Sequence, residues 1–117
     1  MGVLIEELKK AGLYENSIIA IYGDHFGLSQ KDEDNEALMT EFLGKPYRFE
    51  GMANVPLIIN IPGEEIKRTI STAGGQLDFM PTIAYLMGLE ELDTIYLGQN
   101  LITAKEGFVA QNRYAPL

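Results

Sequence analysis

The sequence contains no cysteine, no tryptophan and only one histidine among its 117 residues. Without cysteine, disulfide scaffolds, thiolate zinc sites and cysteine nucleophiles are excluded. Basic residues are also scarce, since 9 Lys and Arg stand against 17 Asp and Glu and give a formal net charge of −8. A chain this acidic repels nucleic-acid phosphates and anionic membrane surfaces, so neither is an expected partner.

Long hydrophobic runs are missing as well. No segment approaches the roughly 20 apolar residues of a membrane span, and the N-terminus lacks a signal-peptide pattern, so we expect this chain itself to be soluble. A hydrophobic fraction of 46% and a charged fraction of 22% are ordinary for a globular protein, and the length suits one domain. A predicted helix begins almost at the first residue, which indicates that this domain is incomplete.

Apolar periodicity predicts alternating helices and strands. The expected elements are helices at 3–11, 35–43 and 79–87, strands at 17–22 and 55–61, and weaker strands at 66–71 and 107–110. The two stronger strands are nearly continuous apolar runs, which is typical of strands buried on both faces of a parallel sheet. This order predicts an α/β fold with a mainly parallel sheet, and a long loop over residues 28–54.

Glycines and acidic residues predict where the helices end and begin. Gly12, Gly44 and Gly88 follow the three periodic stretches and are expected to stop them. Asp34 and Asp78 precede the second and third stretches and are expected to cap their N-termini. The capping role is enough to explain Asp78 without a catalytic one.

The best candidate site is Asp24-His25, directly after the first strand. A carboxylate and an imidazole are good ligands for a divalent cation, and ligands of open α/β sheets bind beyond the carboxyl ends of strands. Gly23 and Gly27, on either side, allow the backbone a close approach. Two ligands do not complete a site, because zinc takes about four and manganese more. From residue chemistry alone, a capping aspartate beside a loop histidine remains the alternative.

Four basic residues are weaker candidates for holding an anionic group. Arg48 stands out because it lies in the long loop, and the others are Lys45, Lys67 and Arg68. Scattered surface charge is the default interpretation for all four. The acidic run at 32–34 lacks the alternating spacing of a calcium loop and is interpreted as a solvated face.

Four blocks in order resemble the C-terminal portion of the lipoteichoic acid synthase-like phosphoglycerol transferases, within the sulfatase/alkaline phosphatase superfamily. The blocks are LKKAGLYENS at 8–17, YGDHFG at 22–27, VPLIINIPG at 55–63 and GGQLDFMPTI at 74–83, and LGQNL at 97–101 fits the family's tail. The resemblance covers about residues 3–113. It implies a partial alkaline phosphatase-like α/β/α sandwich, with residues 1–117 forming one incomplete catalytic domain.

The resemblance also implies roles for the candidate site. In the family an Asp-His pair in this motif binds the catalytic divalent cation, commonly Mn²⁺, and the match falls on Asp24 and His25. The family's other two metal ligands, a glutamate and the nucleophilic threonine, lie upstream of the first block, as do its substrate-binding histidine and arginine. We therefore expect this chain to hold half of the metal site and no nucleophile, and to be inactive alone.

The implied parent enzyme is membrane-anchored and works on the extracellular face of the cell membrane. It would move glycerophosphate from a membrane phospholipid to a polymer or glycan hydroxyl through a phosphoglycerol-threonine intermediate. A sulfatase or phosphodiesterase fragment, and a standalone acidic α/β binding domain without catalysis, remain alternatives. Strand edges cut from a larger sheet favour self-association, so we expect a dimer or a swapped assembly of the isolated chain.

Overall fold

The computed structural model describes residues 2–29, 31–90 and 94–110. The chain forms two compact units, the first ending at Ile66 and the second beginning at Lys67. The first unit contains helices α1 (Gly2–Lys10), α2 (Glu33–Leu43) and α3 (Phe49–Ala53) and strands β1 (Ile19–Tyr22) and β2 (Leu57–Asn60), and the second contains helix α4 (Phe79–Leu86). None of the helices in the described ranges has both the length and the apolar character needed to cross a membrane.

The predicted helix stops are confirmed. After α1, the amide of Leu13 donates to the carbonyl of Leu8 at 3.0 Å, and Gly12 has a φ of +68°. This is the Schellman arrangement, in which a left-handed glycine lets the chain turn back over the last carbonyls. Gly44 and Gly88, which follow α2 and α4, also have positive φ angles.

The predicted N-cap of α2 is wrong by two residues. Asp32, not Asp34, is the extended residue before the helix, and its Oδ1 accepts the amide of Asp34 at 3.0 Å. Asp34 already lies in the first turn together with Glu33 and Glu36. Three acidic side chains at the N-terminus interact favourably with the helix dipole, which stabilises the earlier start.

The two strands pair antiparallel, with Ile19 opposite Asn60 and Tyr22 opposite Leu57. The presence of both helices and strands confirms the α/β class, but the predicted parallel direction is wrong for this pair. The end of β1 lies beside the start of β2, so the connection between them leaves and returns at one end of the sheet. Continuous apolar sequence reports burial and not direction, which is why the pattern could not distinguish the two arrangements.

Both strands are also less covered than their sequences predict. Ile58 is 57% exposed, and the residues of β1 and β2 are intermediate or exposed. Within the described parts of the chain the sheet has only these two strands. Among these described residues, the apolar side chains of the two strands are only partly covered.

Three further predictions for the connecting segments are wrong. Residues 66–71 and 107–110 are irregular instead of strands, and the segment expected to be loop contains α3. A short alternating segment becomes a strand only when it finds a partner strand, and among the described residues neither segment does so.

Candidate metal centre

Asp24 and His25 lie in the loop that follows β1, at the end where β2 begins. Their side chains are 84% and 81% exposed, and Oδ1 of Asp24 is 3.9 Å from Nε2 of His25. Two ligand atoms bound at about 2.1 Å to one ion are roughly 3.0–3.4 Å apart, so the pair needs to close by less than about 1 Å. Side chains this exposed have the rotamer freedom to do so.

A hydrogen bond sets the tautomer of His25. Its Nδ1 lies 2.7 Å from the carbonyl oxygen of Phe26. A carbonyl can only accept, so in the neutral ring Nδ1 carries the proton and Nε2 has a free lone pair. Metal-binding histidines commonly donate their other ring nitrogen in this way. In this tautomer the unprotonated nitrogen of the ring is Nε2, which is the atom 3.9 Å from Oδ1 of Asp24.

Backbone contacts hold both ends of this loop against the segment before β2. The amide of Gly23 donates to the carbonyl of Pro56 at 3.0 Å, and the amide of Gly27 donates to the carbonyl of Met52 at 2.8 Å. A Cβ at Gly23 would lie 2.9 Å from Cβ of Val55, which a side chain does not tolerate. The two glycines therefore provide the close backbone approach that the sequence predicted.

Tyr47 is a residue of this site that the sequence analysis missed. Its side chain is 2% exposed, and its hydroxyl donates to the carbonyl of Leu28 at 2.9 Å. Its own amide donates to Oγ1 of Thr40 in α2 at 3.1 Å. Tyr47 thus joins α2 to the loop that carries the candidate ligands. The only signal in the sequence was an aromatic residue within a polar connection.

The described residues do not complete a metal site. Across residues 2–29, 31–90 and 94–110, no group of three or more His, Asp or Glu side chains comes together in a way that could hold an ion. The carboxylate and imidazole fit a divalent cation chemically, because both are ligands of borderline divalent ions. The pair could therefore supply at most two ligands to such an ion.

Asp78 precedes α4 as predicted, but its carboxylate does not cap that helix. It is 7% exposed and accepts the amides of Gly75 and Gln99, each at 2.7 Å. Its backbone carbonyl accepts Oγ1 of Thr82 at 2.6 Å, and the same hydroxyl accepts the amide of Leu101 at 3.0 Å. These bonds join the start of α4 to the segment at 97–101, so the role of Asp78 is structural.

The four basic candidates are divided between the chain's two units. Arg48 occupies the N-cap position of α3 and, with Lys45, borders an open depression of about 350 Å³. Lys67 and Arg68 are exposed residues of the second unit. Arg48 follows Tyr47 directly and is therefore the basic candidate tied most closely to the loop of Asp24 and His25.

Known proteins resemble this chain over most of its length. The sulfatase family matches residues 1–89. The lipoteichoic acid synthase-like protein YvgJ of Bacillus subtilis (strain 168) is 46% identical over 105 residues, which cover 85% of this chain and 16% of that protein. Lipoteichoic acid synthase 1 of the same organism is 42% identical over 101 residues, or 84% of this chain and 15% of that protein.

A third relative, the lipoteichoic acid synthase of Staphylococcus saprophyticus, is 38% identical over 102 residues, covering 85% of this chain and 15% of that protein. The chain therefore spans only 15–16% of the length of these curated relatives. The family match, in contrast, extends over well more than half of the chain itself. On that basis this chain belongs to the sulfatase family.

Proposed function

We propose that this chain is the C-terminal part of the catalytic domain of a lipoteichoic acid synthase-like phosphoglycerol transferase. Asp24 and His25 are its contribution to a divalent cation site, with Mn²⁺ the expected ion. The observation that carries the proposal is the exposed Asp24–His25 pair, whose Nε2 is left free by the bond from Nδ1 to Phe26. Metal dependence across the sulfatase superfamily and the relatives at 38–46% identity support it.

Residues 1–117 would form one incomplete domain of an alkaline phosphatase-like α/β/α sandwich. In the complete domain, β1 and β2 would be an antiparallel pair within a larger, mainly parallel sheet. The exposure of Ile58 and of the flanking strand residues supports this, because such apolar faces are normally covered. Self-association of the isolated chain through the same faces follows from the proposal.

When bound, a divalent cation offsets negative charge on phosphoryl oxygens and makes a hydroxyl nucleophile more acidic. Asp24 would contribute a negative charge to that site, and His25 a neutral nitrogen that Phe26 holds in the correct tautomer. The remaining ligands and the threonine nucleophile would come from outside this chain, which would therefore be inactive alone. The donor would be a membrane phospholipid and the acceptor a polymer or glycan hydroxyl, on the extracellular face of the membrane.

Arg48 remains a weaker proposal as a substrate-binding residue. Its position directly after Tyr47 in the sequence favours it over the other basic residues. A guanidinium there would suit the phosphate of a glycerophosphate donor.

A manganese titration of this chain tests the proposal. His25 is the only histidine, so its ring gives one isolated set of nuclear magnetic resonance signals. Paramagnetic Mn²⁺ bound at the pair should broaden these signals selectively. In Asp24→Asn, the same broadening of the His25 signals should require at least about tenfold more Mn²⁺, because the substitution removes a charged ligand.

Asp34→Asn is the matched control, because it removes the same charge from an exposed residue of α2 and should leave the titration unchanged. Equal broadening in wild type and in Asp24→Asn would contradict the proposed metal site.

A further inference from the structure

We infer that Tyr47 is a positioning residue for His25: its hydroxyl holds the turn after His25 and thereby keeps the imidazole in the tautomer that leaves Nε2 free. The inference deepens the proposed function and rests on it for the identity of the ligand. It concerns a residue that does not itself reach the proposed ion.

The peptide group between Phe26 and Gly27 links the histidine ring to the rest of the fold. Its carbonyl accepts Nδ1 of His25 at 2.7 Å, and its amide donates to the carbonyl of Met52 at 2.8 Å. Because a peptide group is planar, the direction of one of these bonds fixes the direction of the other. The orientation of this plane therefore decides whether the Phe26 carbonyl faces the imidazole.

The hydroxyl of Tyr47 contacts the chain on the C-terminal side of Gly27. It donates to the carbonyl of Leu28 at 2.9 Å, two peptide groups beyond the plane that contacts His25. The tyrosine is itself immobilised, since its side chain is 2% exposed and its amide donates to Oγ1 of Thr40. A buried hydroxyl anchored in this way restrains the turn more firmly than a solvent contact would.

The close contact between the Tyr47 hydroxyl and Gly27 also supports the positioning role of Tyr47. A Cβ at Gly27 would lie 2.8 Å from the Tyr47 hydroxyl and 3.5 Å from the carbonyl of Met52. Gly27 is not among the glycines with positive φ, so an alanine there would meet no backbone strain. What excludes the methyl group is the hydroxyl oxygen itself, which shows how closely Tyr47 and the turn are fitted.

The test uses Tyr47→Phe, which removes the hydroxyl alone. Nitrogen-15 spectra of the single histidine distinguish its two neutral tautomers, at a pH where the ring is uncharged. We expect the wild type to favour the Nδ1–H tautomer and Tyr47→Phe to shift the population towards Nε2–H. The apparent affinity of the ring for Mn²⁺ should fall about tenfold, as is typical when the group that orients a ligand is lost.

Tyr14→Phe is the matched control. It removes a tyrosine hydroxyl bond in the same unit, the one to Oδ1 of Asn60 at 3.0 Å, away from the turn. It should leave both the tautomer and the Mn²⁺ affinity at their wild-type values. Each variant removes one tyrosine hydroxyl bond within the same unit, whereas a positioning role changes the tautomer only in Tyr47→Phe.

Gly27→Ala supplies an independent variant, so the inference stays testable if Tyr47→Phe folds poorly. Alone, Gly27→Ala should alter the tautomer population of His25, because the added methyl group displaces the Tyr47 hydroxyl. Combined with Tyr47→Phe it should add little, because phenylalanine leaves room for the methyl group, and the two effects would be clearly non-additive. Additive effects would overturn the inference.

The two possible failures can be distinguished. If Mn²⁺ broadens the His25 signals of the wild type and Tyr47→Phe changes neither tautomer nor affinity, the positioning role is wrong and the metal site stands. If Tyr47→Phe shifts the tautomer while Mn²⁺ leaves the wild-type ring unaffected, the ring is positioned as inferred and the proposed function is wrong.

Discussion

Asp78 is a buried carboxylate whose oxygens are both used by backbone amides. Gly75 lies three residues before it and Gln99 twenty-one residues after it, and both donate at 2.7 Å. Hydrogen bonds to a charged acceptor are among the stronger ones, and their loss leaves buried donors without a partner. This residue therefore stabilises the second unit by joining two segments that are distant in sequence.

Asp78→Ala should lower the free energy of unfolding by about 2–4 kcal/mol, because it removes two charge-assisted bonds at once. Hydrogen exchange should accelerate at the amides of Gly75 and Gln99 in particular. Glu106→Ala, at an exposed acidic residue of the same unit, should change stability by less than about 0.5 kcal/mol. Equal destabilisation by the two variants would contradict the role assigned to Asp78.

Residues whose determining contacts are local could be predicted from the sequence. Asp78 was placed correctly at the start of a helix, but its partner at Gln99 is too distant along the chain for a local pattern to reveal. Tyr47 was assigned to a loop because nothing near it in sequence predicts burial, and its partner Leu28 lies nineteen residues away. Asp24 and His25 were found because adjacent residues need no fold to bring them together.

The positions of helices α1, α2 and α4 and of strands β1 and β2 follow from the sequence, whereas the direction of the strands does not. α1 lies within one residue of its predicted bounds, and the stops at Gly12 and Gly88 were predicted because helix ends depend on neighbouring residues. Strand direction depends on which segments meet in space. Apolar periodicity therefore could not predict the antiparallel pairing of Tyr22 with Leu57.

Two glycines of the second unit should respond differently to alanine. Gly88→Ala places a side chain at a φ of +68° in open space and should destabilise by about 1 kcal/mol. Gly98→Ala would drive its Cβ onto the carbonyl oxygen of Leu77, where backbone must move, and should destabilise by about 2–3 kcal/mol. Urea unfolding of both variants measures the two losses of stability. A larger loss in Gly88→Ala than in Gly98→Ala would contradict the close packing of Gly98 against Leu77.

The described residues expose more large apolar side chains than a folded globular domain usually does. Val3 is 77% exposed, Phe42 80% and Ile58 57%. Each belongs to a helix or strand, where an apolar side chain is expected to pack against another element. The two-stranded sheet in the described residues also leaves backbone edges open to pairing.

We expect the isolated chain to self-associate, with a molecular mass by light scattering that rises with concentration. Ile58→Lys should shift it towards the monomer, because a charge on an exposed strand disfavours edge and face pairing. Glu64→Lys, at an exposed residue outside the strands, is the control and should leave the measured mass unchanged. A monomer at all concentrations in the wild type would contradict the expectation.

We propose that Asp24 and His25 belong to the metal site of a phosphoglycerol transferase. The most direct measurement uses the complete protein encoded by the reading frame that contains this chain. Release of diacylglycerol from a labelled phospholipid, with Mn²⁺ present, would be compared between wild type, Asp24→Asn and the control Asp34→Asn. We predict a loss of about 100-fold or more in Asp24→Asn and normal activity in Asp34→Asn. Full activity with unchanged Mn²⁺ dependence in Asp24→Asn would contradict the claim.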